Sequence, residues 1–426
     1  MRLAVLGMAL ALVASPAYAQ SGPLAGPDGT SLNKVLVIGT DGTRWDLLEP
    51  AMKAGQAPNL ARLRREGFGH PTLLEYGPNT FTLSEVGWSS IASGVWEDKH
   101  GVDGSKFNMD PGQATKNGYV DFLTRIENGR PRLSTFLASD WDNIGLAENG
   151  GPIFGSAMDA NFAARVPVET VDAWNRGDVA VTRASTGYLR RGNPDAGFVY
   201  LGLVDETAHL AGSATPTYAN AIATTDARIG KLLGAIRSRG SYPFESWTIL
   251  VVTDHGQKPL SEPSLISHFG QTKLELTSFV IGSGPGLAAN VKKPKVVDIM
   301  PTVLHQLGLS TPRGWNIDGH SLSRAKPPSS ASAGVRGGRL VAKLRLGSHP
   351  KASGIDFHLP ALARAPAVVR VNGAVVDAVT EKKAVRVNLR GRRLRTISLA
   401  VDTGRASGSL VVVMRRPGAK MAIPVR

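Results

Sequence analysis

The chain of 426 residues carries 49 Lys and Arg against 34 Asp and Glu, a formal net charge of +15, and has no cysteine. A single hydrophobic core stops growing at about 250–300 residues, so a large domain with something added to it is expected. The missing cysteines exclude disulfides, a thiolate nucleophile, a Cys-ligated zinc site and a lipidated cysteine.

In chain order, residues 1–19 read as a secretory signal. Arg2 precedes an apolar run from Leu3 to Val13, and Ala17-Tyr18-Ala19 stands before Gln20, so cleavage is expected after Ala19 and the mature protein is expected to be periplasmic or secreted. No later apolar run is long enough to span a bilayer. From residue 30 to 325 a different pattern holds. "KVLVIGTDG" reads as a buried strand opening into a polar turn, and "GFVYLGLVD", "WTILVVTDHG" and "LTSFVIGSG" repeat that form. Helical stretches lie between them, including Ala51–Glu66 and Tyr218–Arg239, and "DIMPTVLHQLG" follows with apolar residues at helical spacing. Apolar strands alternating with helices predict an α/β fold with a mostly parallel central sheet covered on both faces. "KPPSSASAGVRGG", residues 326–338, reads as a linker. Residues 339–426 then show short alternating apolar runs, with Asn372-Gly373 as a hairpin turn, and predict a small β-rich domain. That domain holds 18 Lys and Arg against four acids, whereas the rest of the chain holds 31 against 30. The basic charge therefore belongs to the C-terminal unit.

Three of the predicted strands end in aspartate: Asp41, Asp205 and Asp254. In parallel sheets the site forms at the C-terminal strand ends. One such Asp is commonly a turn or cap residue, but these keep particular company. His209 follows Asp205 by four residues, one turn on a helix face, His255 follows Asp254 directly, and His268 lies thirteen residues beyond it. Three carboxylates and three imidazoles form a ligand set for two divalent cations, zinc first and manganese second.

The ordered motifs "VLVIGTDG", "SEVGWSSIASGVWEDKHGV", "YLGLVDETAH", "VVTDHG", "SHFG" and "DIMPTVLHQLGLSTPRGWNIDGHSL" resemble the alkaline phosphatase superfamily, and within it the type I phosphodiesterase/nucleotide pyrophosphatase branch. The resemblance runs from about residue 34 to 323 and implies an alkaline phosphatase-like catalytic domain. It also implies one metal on Asp205, His209 and His268, and another on Asp41, Asp254 and His255. The nucleophile, counted back from Ser93-Gly94, would be Ser84, also a ligand of the second metal, with Thr82 as its nearest rival. Ser89 and Ser90 would lie inside the following helix as packing hydroxyls. Activated by metal in place of a general base, Ser84 would form a covalent phosphoserine.

The implied activity is hydrolysis of a small phosphate ester, as a phosphodiesterase or nucleotide pyrophosphatase, with a phosphomonoesterase as the alternative. The Cys/Ser-x-Pro-x-Arg context of sulfatases is absent, because Glu85, Val86, Gly87 and Trp88 follow Ser84. The same residues depart from the nucleotide branch, which carries Pro-Asn where this chain has Val86-Gly87. Ser105 and Lys106 are the residues on offer as phosphate contacts after "HG", and no further Lys/Arg clamp is evident, which favours diesters over dianionic monoesters. Trp45 and Trp88 are expected in the core, and His100 in a structural loop. The basic C-terminal domain is a means of holding an anionic cell-envelope surface. Specific nucleic-acid binding is not expected of it, since Phe357 is its sole aromatic residue. A non-catalytic, anion-binding envelope protein on the same scaffold is the reading from another class.

Overall fold

The computed structural model describes residues 32–102, 118–146, 152–288, 290–323, 329–358, 367–381, 384–402, 409–415 and 419–425. The expected leader, together with Ser105 and Lys106, lies outside the described residues. The central sheet has seven strands: β1 (Asn33–Thr40), β2 (Phe68–Leu73), β3 (Thr135–Ser139), β4 (Ala160–Ala163), β5 (Ala196–Leu201), β6 (Ser246–Val252) and β7 (Thr277–Ser283). Their spatial order is β2-β7-β6-β1-β5-β3-β4. β1 pairs in parallel with both β5 and β6, β3 pairs in parallel with β4 and β5, and β7 runs antiparallel to β6 and β2. β2 carries Pro71 and stands at the edge of the sheet, where a missing N–H breaks no ladder.

Two apolar layers cover the sheet. Val35 and Val37 point to one face and meet the helices Ser84–Ser93, Phe122–Gly129 and Ile299–Gln306, whereas Leu36 and Ile38 point to the other and meet Trp45–Lys53, Pro58–Glu66, Val171–Arg191 and Pro216–Arg237. Burial on both faces is why these strands read as unbroken apolar runs, and each such side chain contributes about 1.5–3 kcal/mol. The single helix expected over Ala51–Glu66 is two helices, Trp45–Lys53 and Pro58–Glu66. Gly55 with φ +76° turns the chain between them, and Pro58 occupies the first turn of the second, where its missing N–H costs nothing.

The C-terminal region forms two five-stranded antiparallel sheets over one apolar cluster. The hairpin expected at Asn372-Gly373 is present, with φ of 51° and 88°. The expected linker requires correction in its second half. Ser330–Arg336 is a strand paired along its whole length with Arg339–Arg345, and Gly337-Gly338 is the two-residue turn between them, with φ of 55° and 73°. Small Ser and Ala side chains gave no apolar alternation, but backbone pairing to a strong neighbour does not require one. This unit meets the central sheet at the start of β1 and β6: Asn33 Nδ2 donates to the Ser329 carbonyl at 2.9 Å, and the Ser246 and Ser329 hydroxyls lie 2.5 Å apart. That is the end of the strands opposite to Asp41 and Asp254.

Candidate functional site

Because β6, β1 and β5 are adjacent and parallel, their C-terminal ends open side by side. Asp41 follows β1 directly, and Asp254 and His255 follow β6 by two and three residues. Asp205 sits in the first turn of the helix Leu203–Ala211, where the four-residue spacing brings His209 Nε2 to 3.2 Å from its Oδ2. His268 arrives from a loop, held where its Nδ1 meets the Thr82 carbonyl at 2.6 Å. Ser84 is the first residue of the helix Ser84–Ser93. Its Oγ lies 3.1 Å from His255 Nε2 and 3.4 Å from Asp41 Oδ1.

The donor atoms fall into two overlapping groups, Asp205 with His209 and His268, and Asp41 with Asp205 and His255, each able to hold a metal ion. Asp205 thus reaches both, which the sequence reading did not foresee. Asp254 joins the second group through His255, whose Nε2 is 3.2 Å from its Oδ2. That oxygen is buried and accepts no hydrogen bond among the described residues.

The histidine tautomers are set by their outer partners. His209 Nδ1 faces the Ser264 carbonyl at 2.9 Å, His255 Nδ1 the Gly256 carbonyl at 3.0 Å, and His268 Nδ1 the Thr82 carbonyl. A carbonyl only accepts, so each Nδ1 carries the proton and each Nε2 turns inward, the arrangement of metal-ligating histidines. His209 and His268 Nε2 stand 3.0 Å apart, so a cation, proton or metal, must lie between two facing nitrogens. Burial, then the neighbouring Asp205, pushes Asp41 above the ordinary carboxylate range, and burial, then Asp41, pushes Asp254 well above it. Burial works against protonating His209, yet Asp205 beside it holds its pKa up to about 10. Burial and then His255 push His268 down to about 3. Carboxylates and imidazoles converging in this way fit a divalent cation.

Outer residues complete the cradle. Trp88 Nε1 and Tyr200 OH both donate to Asp41 Oδ2, at 2.9 and 2.6 Å. Gly42 N–H donates to Asp254 Oδ1 at 3.2 Å, and Gln257 Nε2 donates to Asp205 Oδ1. Trp88 packs in the core as expected, edge-on to Phe198 and Tyr200, and orients the Asp41 carboxylate as well. Tyr200 and Gln257 escaped the sequence reading, because a tyrosine in an apolar strand or a glutamine after "TDHG" carries no signal without the fold.

Of the rival hydroxyls, those of Thr82 and Ser90 are engaged, and that of Ser89 is buried inside the helix with no hydrogen-bond partner among the described residues. Thr82 is fully buried and its Oγ1 donates to the carbonyls of His268 and Gly270. Ser90 Oγ donates to the Val86 carbonyl and meets His100 Nε2 at 3.0 Å, while His100 Nδ1 accepts from Val102 N–H at 3.1 Å. His100 is thus a buried structural residue, and burial pushes it down to about 3. Gly87 shows why the branch's asparagine has no place here: a Cβ would stand 2.6 Å from Asp254 Cβ and 3.0 Å from its carbonyl oxygen.

Residues 35–302, well over half of the chain, match the family described as type I phosphodiesterase / nucleotide pyrophosphatase. The chain belongs to this family. No curated protein sequence matches it. Among solved structures it is similar to a putative sulfatase from Bacteroides thetaiotaomicron, at 12% identity and TM-score 0.51, over 74% of this chain and 82% of that one. A 2-O GAG sulfatase matches at 11% identity and TM-score 0.50, over 75% and 81%. Murine ectonucleotide pyrophosphatase/phosphodiesterase 5 is 15% identical, with TM-score 0.44, over 67% of this chain and 98% of that one. At such identities the sulfatase likenesses bear on the fold alone, which is the alkaline phosphatase-like one. The family makes the protein a hydrolase of phosphoric esters, and its sheet places Asp/His groups able to hold metal where that chemistry requires charge.

Proposed function

We propose that this member of the family is an exported, two-metal phosphodiesterase that works through a covalent phosphoserine on Ser84. The observation that carries the reading is the convergence of Ser84 Oγ with inward-facing Nε2 and carboxylate oxygens. Asp205, His209 and His268 would hold one divalent cation, and Asp41, Asp254, His255 and Ser84 the other, with zinc fitting the N/O set first and manganese second. When bound, such ions supply positive charge against the attacking and departing oxygens and lower the pKa of a ligated hydroxyl.

Ser84 does the rest from the start of its helix, whose first-turn N–H groups and dipole face the phosphoryl oxygens. Its Oγ gives up a proton and bonds to phosphorus, while the bond to the leaving oxygen breaks and that oxygen takes up a proton. Water then cleaves the Oγ–P bond and restores the hydroxyl. Diesters are preferred because, among the described residues, the cations near the motifs are engaged elsewhere. Arg44 binds Asp46 and the Ser213 carbonyl, Lys99 binds Asp318, and Lys258 binds the Ile266 carbonyl. A dianionic monoester would need more positive charge than these leave.

No helix among the described residues is long and apolar enough to cross a membrane. The leader-like residues 1–19 support export, and the basic C-terminal sheets support contact with an anionic envelope surface, away from the site mouth. Zinc-loaded protein offered a nitrophenyl phosphate, its methyl diester and a nitrophenyl sulfate should turn over the diester fastest. If neither metal is bound and added zinc or manganese gives no turnover on any ester, the reading fails.

A further inference from the structure

Two loops meet at the lip of the site. His268 Nδ1 meets the Thr82 carbonyl, Thr82 Oγ1 donates to the carbonyls of His268 and Gly270, and Gln271 Nε2 donates to those of Gly77 and Thr80, both at 2.6 Å. The Ser264 carbonyl and the Ser267 hydroxyl both reach His209 Nδ1, at 2.9 and 3.2 Å, so the residues between them are held at the first ligand group. On this stitched lip stand Phe81, Leu265, Ile266 and Phe269, exposed by 52, 82, 59 and 43%. They are four of the ten large apolar side chains exposed among the described residues. Phe269 also lies 5.4 Å, centroid to centroid, from the His268 ring. Apolar groups exposed together beside a reactive site mark a place where something apolar is bound.

We propose that this lip is a subsite for an aliphatic chain on the substrate, so that the enzyme prefers phosphodiesters one of whose ester groups is a long alkyl chain. This rests on the phosphodiesterase reading above. The occupant is the substrate itself because the lip is continuous with the ligands that would hold the phosphate: a chain leaving phosphorus meets the lip before it meets bulk water. The subsite is one-sided and stays part-wet, so each methylene should gain about twofold and not the roughly fourfold of full burial.

The test is a series of alkyl 4-nitrophenyl phosphates from methyl to octyl, on zinc-loaded full-length protein, each below its micelle concentration. Expected is a kcat/KM that rises about twofold per methylene, through KM. The variant Phe81→Ser/Leu265→Ser/Ile266→Ser/Phe269→Ser should flatten that slope and leave the methyl ester unchanged. Leu265→Ser alone, at the most exposed position, should reduce the slope without any risk to folding. A flat slope in the wild type, or a slope as steep as the wild type's in both variants, overturns the subsite while leaving the phosphodiesterase reading intact. So does sedimentation showing a wild-type dimer that the serine variants dissociate, since the lip would then be a contact between copies. Absence of turnover on every ester, methyl included, sinks the underlying reading as well.

Discussion

Replacing Gly87 with alanine tests the second ligand group through one methyl group. Gly87 lies in the first turn of the helix that Ser84 opens, against Asp254. The new Cβ would stand 2.6 Å from Asp254 Cβ and 3.0 Å from its carbonyl oxygen, where ordinary contact begins at 3.4 Å, so the Asp254 backbone or the helix must shift by several tenths of an ångström. Metal–oxygen distances are specified to about 0.2 Å, so a metal held by Asp254 as proposed would lose that ligand's geometry. Mutating outer-sphere partners typically costs 10–100-fold in affinity, and displacing a ligand should cost at least about 100-fold. Global stability changes less, because overpacking of about 1–3 kcal/mol is partly offset by the roughly 1 kcal/mol that alanine gains over glycine in a helix. Zinc titration by calorimetry, with metal content after dialysis, should therefore show one tight equivalent retained and the other lost, along with turnover. Two equivalents bound at wild-type affinity with an unchanged kcat/KM would refute the assignment of Asp254 as a ligand.

Three further outcomes are expected. Ser84→Ala should abolish turnover and keep zinc on Asp205, His209 and His268, whereas Thr82→Ala, which loses hydroxyl bonds to two carbonyls, should cost about 1–3 kcal/mol in denaturation and still form a phosphoenzyme; swapped results would move the nucleophile to Thr82. Because Asp205 holds His209 up to about 10 against the effect of burial, metal must displace a proton at neutral pH, so zinc affinity should rise about tenfold per pH unit between pH 6 and 9; pH-independent affinity in a competition titration would contradict this. His100 titrates near 3 when folded and near 6.5 when unfolded, so the stability of keeping it neutral is complete above pH 6.5 and is lost as pH falls toward 3. The difference in denaturation free energy between wild type and His100→Gln should accordingly narrow by on the order of 3 kcal/mol from pH 7 to pH 4, and a constant difference would show that the buried imidazole does not titrate this way.

How far the sequence reaches is clearest at individual residues. Asp41 and Asp254 were legible as strand-end carboxylates because apolar runs buried on both faces announce themselves, and the parallel architecture fixes where such runs end; Asp205, expected at a strand end, stands instead in the first turn of the helix after β5. His209 was legible through its four-residue spacing, and Asn372-Gly373 through the backbone chemistry of a two-residue hairpin. The break at Gly55 and the strand Ser330–Arg336 were not, since one interrupts a continuous helical pattern and the other has too few apolar side chains to show alternation. Nor could the sequence alone show that Asp205 reaches both ligand groups, that Trp88 and Tyr200 share one oxygen of Asp41, or that Asp254 leaves no room at Gly87. Apart from the Asp205–His209 spacing, those facts depend on contacts between residues 47 to 167 positions apart. Local periodicity determined which residue types stand at the strand ends; the packing of β6, β1 and β5 decided which of their atoms face one another, because only close approach across a sheet fixes a lone pair's direction.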